Sequence, residues 1–212
     1  MKYDLAIFDF DGTLADTFPW AVSLYENLSE QFGLPRVEPS DYQRIRGLSV
    51  REMMQEFHIP ARRLPVIGTF AKREMARNLD KLTLFDGIRE ALRALSMNGV
   101  RLAVVSSNDE HTIRTVLGPA TAARFSHYEC GVAVFGKAKK LRRTLRKTGV
   151  PAPAAIYIGD EIRDVEAAYH AGIDFGAVAW GYNTRESLAA RSPTLLFENV
   201  GDLVKKLSNN RG

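Results

Sequence analysis

Cysteine is nearly absent: Cys130 is the only one in 212 residues. No disulfide can close within the chain, so a reducing, cytoplasmic setting is expected. Cys130 sits in a strand-like stretch without a suggestive neighbour and reads as a small buried side chain, not a nucleophile. Histidine is scarce as well. His58, His111, His127 and His170 show no metal-ligand spacing and read as surface or hydrogen-bonded side chains. No apolar stretch approaches the ~20 residues of a membrane helix. The first residues run straight into an apolar strand, with no charged-then-apolar signal segment. Neither a membrane partner nor export is therefore expected. Repeats and low-complexity segments are missing too.

Charge of one sign is not dominant. The net charge is +4, and 45% of the residues are hydrophobic, as in ordinary globular proteins. Lys137, Lys139, Lys140, Arg142, Arg143, Arg146 and Lys147 form one basic cluster. Leu141 and Leu145 share a helical face there, so the cations read as the outer side of an amphipathic helix. Without interleaved aromatics, nucleic acid is not an expected partner. A positive field that attracts small anions fits better.

What is present begins at Leu5-Ala6-Ile7-Phe8-Asp9-Phe10-Asp11-Gly12-Thr13. The apolar run reads as a buried strand, and its carboxyl end is where open α/β sheets hold ligands. Asp9 and Asp11 repel each other, and burying both without compensation costs several kcal/mol on the order of magnitude. A divalent cation would remove that cost. Strand-like runs recur at Tyr3–Phe8, which holds this first one, Val100–Val105, Tyr128–Val134, Ala154–Ile158 and Phe175–Trp180. Between them, Ile88, Ala91, Leu92 and Leu95 trace one helical face, and Val165, Ala168 and Ala171 another. Alternating strands and helices predict an α/β fold with a doubly wound parallel sheet.

Four ordered stretches resemble the haloacid dehalogenase superfamily, and specifically its phosphatases. Asp9-Phe10-Asp11-Gly12-Thr13-Leu14 is similar to the first motif. Ser106-Ser107-Asn108, ending an apolar strand, is similar to the second. Gly136-Lys137 offers the lysine of the third, with Lys139 and Lys140 further along the same helix. Gly159-Asp160-Glu161-Ile162-Arg163-Asp164 is similar to the fourth. Ala179-Trp180-Gly181-Tyr182-Asn183 resembles the phosphoglycolate phosphatase-like branch.

The resemblance implies a magnesium-dependent phosphomonoesterase. Asp9 would attack phosphorus to give an aspartyl-phosphate, and Asp11 would act as acid and then base. Ser106 and Lys137 would neutralise phosphoryl oxygens, with Gly12, Thr13, Ser107 and Asn108 nearby. Mg2+ would be held by Asp9, Asp11 and Asp160, with Asp164 supporting through water or by orienting the lysine. Phosphoglycolate is the leading substrate candidate. A phosphomutase of the same superfamily is the alternative, and a non-catalytic binding protein on the same fold is a further one. Dehalogenation is disfavoured by Asp11 and by the Asp160/Asp164 pair.

Asp9 and Ser106 stand roughly a hundred residues apart, whereas a βαβ unit needs about 30. The excess predicts an inserted helical cap over residues 17–81, on a core of 1–16 and 82–212. Hinges are expected near Ala15–Phe18 and Leu82–Gly87. Arg46 or Arg51, in the cap, is the candidate to bind a substrate carboxylate, the alternative for each being a solvent-facing side chain. The expected partner is a small phosphorylated metabolite, and the protein a monomer or homodimer.

Overall fold

The computed structural model describes residues 3–131 and 136–208. Strands β1 (Leu5–Phe8) and β2 (Ala15–Asp16) precede α1 (Phe18–Phe32), α2 (Tyr42–Arg46), α3 (Val50–Glu56) and α4 (Leu64–Arg77). The chain returns through β3 (Thr83–Leu84) and α5 (Ile88–Met97). Then follow β4 (Arg101–Val105), α6 (Glu110–Leu117), α7 (Pro119–Ala122), β5 (Phe125–Glu129) and α8 (Lys137–Thr148). Last come β6 (Ala155–Gly159), α9 (Ile162–Ala171), β7 (Asp174–Val178), α10 (Arg185–Ala189), β8 (Leu195–Phe197) and α11 (Gly201–Ser208).

Six strands form one parallel sheet in the order β5-β4-β1-β6-β7-β8. The direction of winding reverses at β1, so the crevice beside its carboxyl end is the topological switch point. Register brings the chemistry together there. Phe8 pairs with Val104 on one side and Ile158 on the other, which leaves Asp9, Ser106 and Asp160 at neighbouring strand tips.

Strand periodicity divides the core into two layers. Ala6, Phe8, Leu102, Val104, Ile156 and Ile158 face α5, α6 and α11. Leu5, Ile7, Ala103, Val105, Ala155 and Tyr157 face α8, α9 and α10. Ile88, Ala91, Leu92 and Leu95 are the buried residues of α5, the face its spacing predicts. Strand β5 departs from expectation. It spans Phe125–Glu129 instead of beginning at Tyr128, and residues 132–135 of the expected run lie outside the described residues. It is an edge strand with a half-exposed face, so its sequence mixes polar and apolar residues. Strand β8 was not expected at all; it has only three residues.

Helices α1–α4 lie between β2 and β3, which pair as a two-stranded antiparallel ribbon. Helix α1 carries Pro19 in its first turn and stops at Gly33, which adopts the left-handed conformation at φ 62°. Leu24, Leu28 and Leu34 form a small separate apolar cluster with Phe32, Ile67 and Phe70. A reciprocal capping box between Ser49 and Glu52 starts α3 and sets the loop just before it. Among the described residues, no helix is long and apolar enough to cross a membrane.

Candidate active site

The carboxylates predicted from separate stretches converge. One oxygen each of Asp9, Asp160 and Asp164 lies within 4.8 Å of the others, and all three residues are buried. Asp9 ends β1 and accepts a hydrogen bond from the Phe10 amide at 2.8 Å. Asp160 ends β6; it takes one from the Thr13 hydroxyl at 2.7 Å and one from the Tyr182 amide at 2.7 Å. Asp164 is the third residue of α9, where its side chain caps the Glu161 amide at 3.2 Å. That cap fixes the carboxylate beneath the site. A Cβ at Gly12 would overlap the Asp160 carboxylate and the Tyr182 ring, and one at Gly181 would strike Asp160 itself. Only glycine allows these close approaches.

Lys137 is the cation that answers these acids. It is the first residue of α8, buried, and donates to Asp9 Oδ2 and, at 2.5 Å, to Asp164 Oδ1. Tyr157 donates to the same Asp164 oxygen at 3.1 Å. The other two lysines separate from it: Lys140 pairs with buried Glu129 at 2.6 Å, and Lys139 is exposed. Burial pulls the Lys137 ammonium down, but Asp164 and Asp9 outweigh it and hold the pKa above the ordinary value. Burial raises Asp9 to about 7, against the pull of Lys137 and with help from Asp164. Asp160 is held well above the usual carboxylate range, first by burial and then by repulsion from Glu161, Asp164 and Asp9.

Asp11 faces the second motif. Its Oδ2 accepts from the Asn108 amide group at 2.8 Å, while its buried Oδ1 has no protein partner. Burial raises its pKa, and the Asn108 bond partly offsets that. Ser106 is fully buried at the tip of β4 and accepts from the Asn108 backbone amide at 3.2 Å. Ser107 is half-buried beside it. The Asn108 and Thr13 side chains, expected at the phosphate, hydrogen-bond to the carboxylates of Asp11 and Asp160.

The two arginines expected in the insertion lie in different surroundings. Arg46 spends its guanidinium on backbone carbonyls, reaching Tyr182 O at 3.0 Å and Gly181 O at 2.6 Å. It also lies 5.1 Å from the Phe18 ring centre. Arg51 is exposed on α3, among Met54, Gln55 and His58. Cys130 is half-buried, and its thiol is pushed up to about 12, first by burial, which leaves it inert.

Several partners were not legible beforehand. Buried Asn183 accepts from the Ile162 amide at 2.8 Å and donates to the carbonyls of Arg46 at 2.6 Å and Leu48 at 3.0 Å. The Thr184 amide adds a bond to Arg46 O at 3.1 Å. This loop therefore clasps the α2–α3 turn to the core. Its signal was positional: a Gly-Tyr-Asn loop follows the tip of β7 at the ligand-bearing edge. Arg163, paired with Glu161 at 2.5 Å, was likewise missed.

The donor set suits a hard divalent cation. Four acids crowd the tips of β1 and β6 with one ammonium among them, and one Asp11 oxygen lacks a partner. Thiolate or imidazole ligands are absent from this cluster among the described residues.

Comparison with known proteins bears on the family and the fold. A family model described as haloacid dehalogenase-like hydrolase matches residues 6–178. A phosphoglycolate phosphatase of Synechococcus elongatus is 32% identical over 95% of this chain and 96% of its own length. The tyrosine-protein kinase PtkA of Mycobacterium tuberculosis is 29% identical over 91% of this chain and 67% of its own. Among solved structures, a haloacid dehalogenase-like family protein from Streptococcus pneumoniae superposes with a TM-score of 0.78. It is 18% identical and covers 97% of this chain and 98% of that one.

Proposed function

The chain belongs to the haloacid dehalogenase-like hydrolase family and is a phosphatase; from that premise we propose that it hydrolyses phosphomonoesters through an aspartyl-phosphate, with Mg2+ as cofactor. The observation that carries this reading is the meeting of Asp9, Lys137, Asp160 and Asp164 at the tips of β1 and β6.

In this reading the Asp9 carboxylate forms a bond to phosphorus as the ester oxygen leaves. Lys137 favours the ionised, nucleophilic form of Asp9 and neutralises charge on the phosphoryl oxygens. The leaving alkoxide takes the proton of Asp11, whose raised pKa suits a general acid. Asn108 holds that carboxyl through Oδ2. Asp11 then removes a proton from water, which attacks phosphorus and breaks the bond to Asp9. The Ser106 hydroxyl donates to a phosphoryl oxygen, since its own oxygen already accepts from Asn108. Asp9, Asp160 and the Asp11 carbonyl would hold Mg2+, whose charge offsets that of the phosphoryl group. Asp164 acts through Lys137, which it positions. Residues 17–81 serve as the cap, hinged on the β2–β3 ribbon, and exclude bulk water when closed.

Phosphoglycolate, named by the relatives, is the first metabolite to try. Purified protein with Mg2+ should release phosphate from an aryl phosphate, and Asp9→Asn should abolish it. A radiolabelled ester should leave a hydroxylamine-sensitive label on the wild type alone. Turnover retained by the folded Asp9→Asn variant would remove Asp9 from this role.

A further inference from the structure

The acid cluster leaves one sizeable cavity among the described residues unexplained. That cavity holds about 610 Å³, within the range of small-molecule sites. It lies inside the insertion, between α1, α3 and α4, and meets the core at Glu161, Tyr182 and Asn183.

Tyr182 joins this chamber to the acids. Its amide donates to Asp160, its hydroxyl lies 2.9 Å from that of Thr17, and its ring abuts Gly12. The Phe18 ring stands edge-on to it at 5.5 Å and lines the chamber as well. A group that leaves phosphorus at the tip of β1 therefore meets the chamber wall within one aromatic ring.

The chamber's chemistry narrows what fits. Leu28, Leu48, Met53, Phe57 and Ile67 make its interior apolar. Its acidic residues are Glu26, Glu30, Glu38 and Glu161, against Arg36 and Arg46 as cations. Arg36 is exposed, and Arg46 is committed to the carbonyls of Gly181 and Tyr182. Glu26, Glu30 and Glu38 are exposed like Arg36, and Glu161 is paired with Arg163, so the buried lining left to a substrate group is chiefly apolar. A two-carbon acid would leave most of the apolar volume unfilled, and an unfilled apolar cavity destabilises the fold around it.

We propose that this chamber receives the alcohol portion of the substrate, and that the preferred phosphomonoester carries an uncharged apolar group there, aryl or an alkyl chain of several carbons. This rests on the phosphatase reading and specifies its substrate class.

The test is a series of straight-chain alkyl monophosphates from methyl to octyl, with 1-naphthyl phosphate and phosphoglycolate alongside, assayed on the wild-type protein with Mg2+. Each added methylene should raise kcat/KM about three- to fourfold until the chamber is full. Phosphoglycolate should fall below the longer alkyl esters. Ala21→Phe, which narrows the chamber, should flatten the series. A flat wild-type series with measurable turnover, or phosphoglycolate at its head, would overturn the proposal and leave the phosphatase reading standing. Turnover of no ester would instead defeat the phosphatase reading. Calorimetric binding of octylphosphonate against methylphosphonate would then decide the chamber separately: tighter binding of the octyl compound supports it, and equal binding overturns it.

Discussion

Two buried regions touch at Tyr182 and are built by opposite means. At the tips of β1, β4 and β6 the side chains are polar and tightly bound to one another. Asp9, Asp160 and Asp164 have partners from four parts of the chain, and glycines at 12 and 181 leave room for nothing larger. Inside the insertion the side chains are mostly apolar and leave about 610 Å³ open. The first region tolerates little change, because removing any partner strands a buried charge. The second tolerates much, because apolar side chains can be exchanged at small cost where volume allows. One fold thus sets a tightly constrained polar cluster beside an apolar chamber whose lining is free to change.

The sharpest way to break this contrast is at Lys137. Lys137→Met leaves Asp9 and Asp164 facing each other without their cation. It should cost about 3–5 kcal/mol of stability in metal-free protein and lower kcat about a hundred- to a thousandfold. Denaturant titration and steady-state kinetics would measure the two losses. A variant as stable as wild type would mean that the network is not the rigid element described.

The pH dependence of the metal-free protein comes next. The folded-state pKa of Asp9, about 7, stands above its ordinary 3.8. Between those values the unfolded chain loses a proton that the folded one keeps, so stability falls as pH rises through that window. The loss is on the order of 4 kcal/mol and is complete above about pH 7. Magnesium should reverse it, so the Mg2+-induced rise in Tm should be larger near pH 8 than near pH 5. Equal rises would place the cation away from Asp9.

A paired truncation compares the two interiors directly. Leu92→Ala empties a fully buried site in the close-packed layer under the sheet and should cost about 4 kcal/mol. Leu28→Ala only enlarges a chamber that is already open and should cost about 2 kcal/mol. Equal costs would show the insertion to be as tightly packed as the core.

The same contrast separates what the sequence made legible from what it did not. Apolar runs located four strands of the main sheet, β1, β4, β6 and β7, and the Ile88-Ala91-Leu92-Leu95 spacing named the buried face of α5, because each signal is local and periodic. The acids and Lys137 were legible because each lies at a strand tip or helix start. Strand β8 was not, since three residues carry no period. Strand β5 was misplaced because its edge position permits Ser126 and His127 in a strand. The clasp was invisible for a different reason. Arg46 and Asn183 are 137 residues apart, and nothing local to either says that a guanidinium will bind carbonyls and not a ligand.

That clasp yields the smallest and most discriminating prediction. Asn183 does two things: its Oδ1 accepts from Ile162 at the start of α9, and its Nδ2 holds the Arg46 and Leu48 carbonyls. Asn183→Ala removes both, whereas Asn183→Asp keeps the acceptor toward α9 and turns the donor into a carboxylate facing two carbonyls. If the clasp holds the insertion down, both variants should loosen residues 17–81 by about 1–3 kcal/mol, read as faster amide exchange and proteolysis there. Exchange in β1, β4 and β6 should hardly change. If the α9 contact is what matters, Asn183→Asp should behave like wild type and only Asn183→Ala should loosen. The two variants assign the bond, because they share the loss at the insertion and differ only at the core.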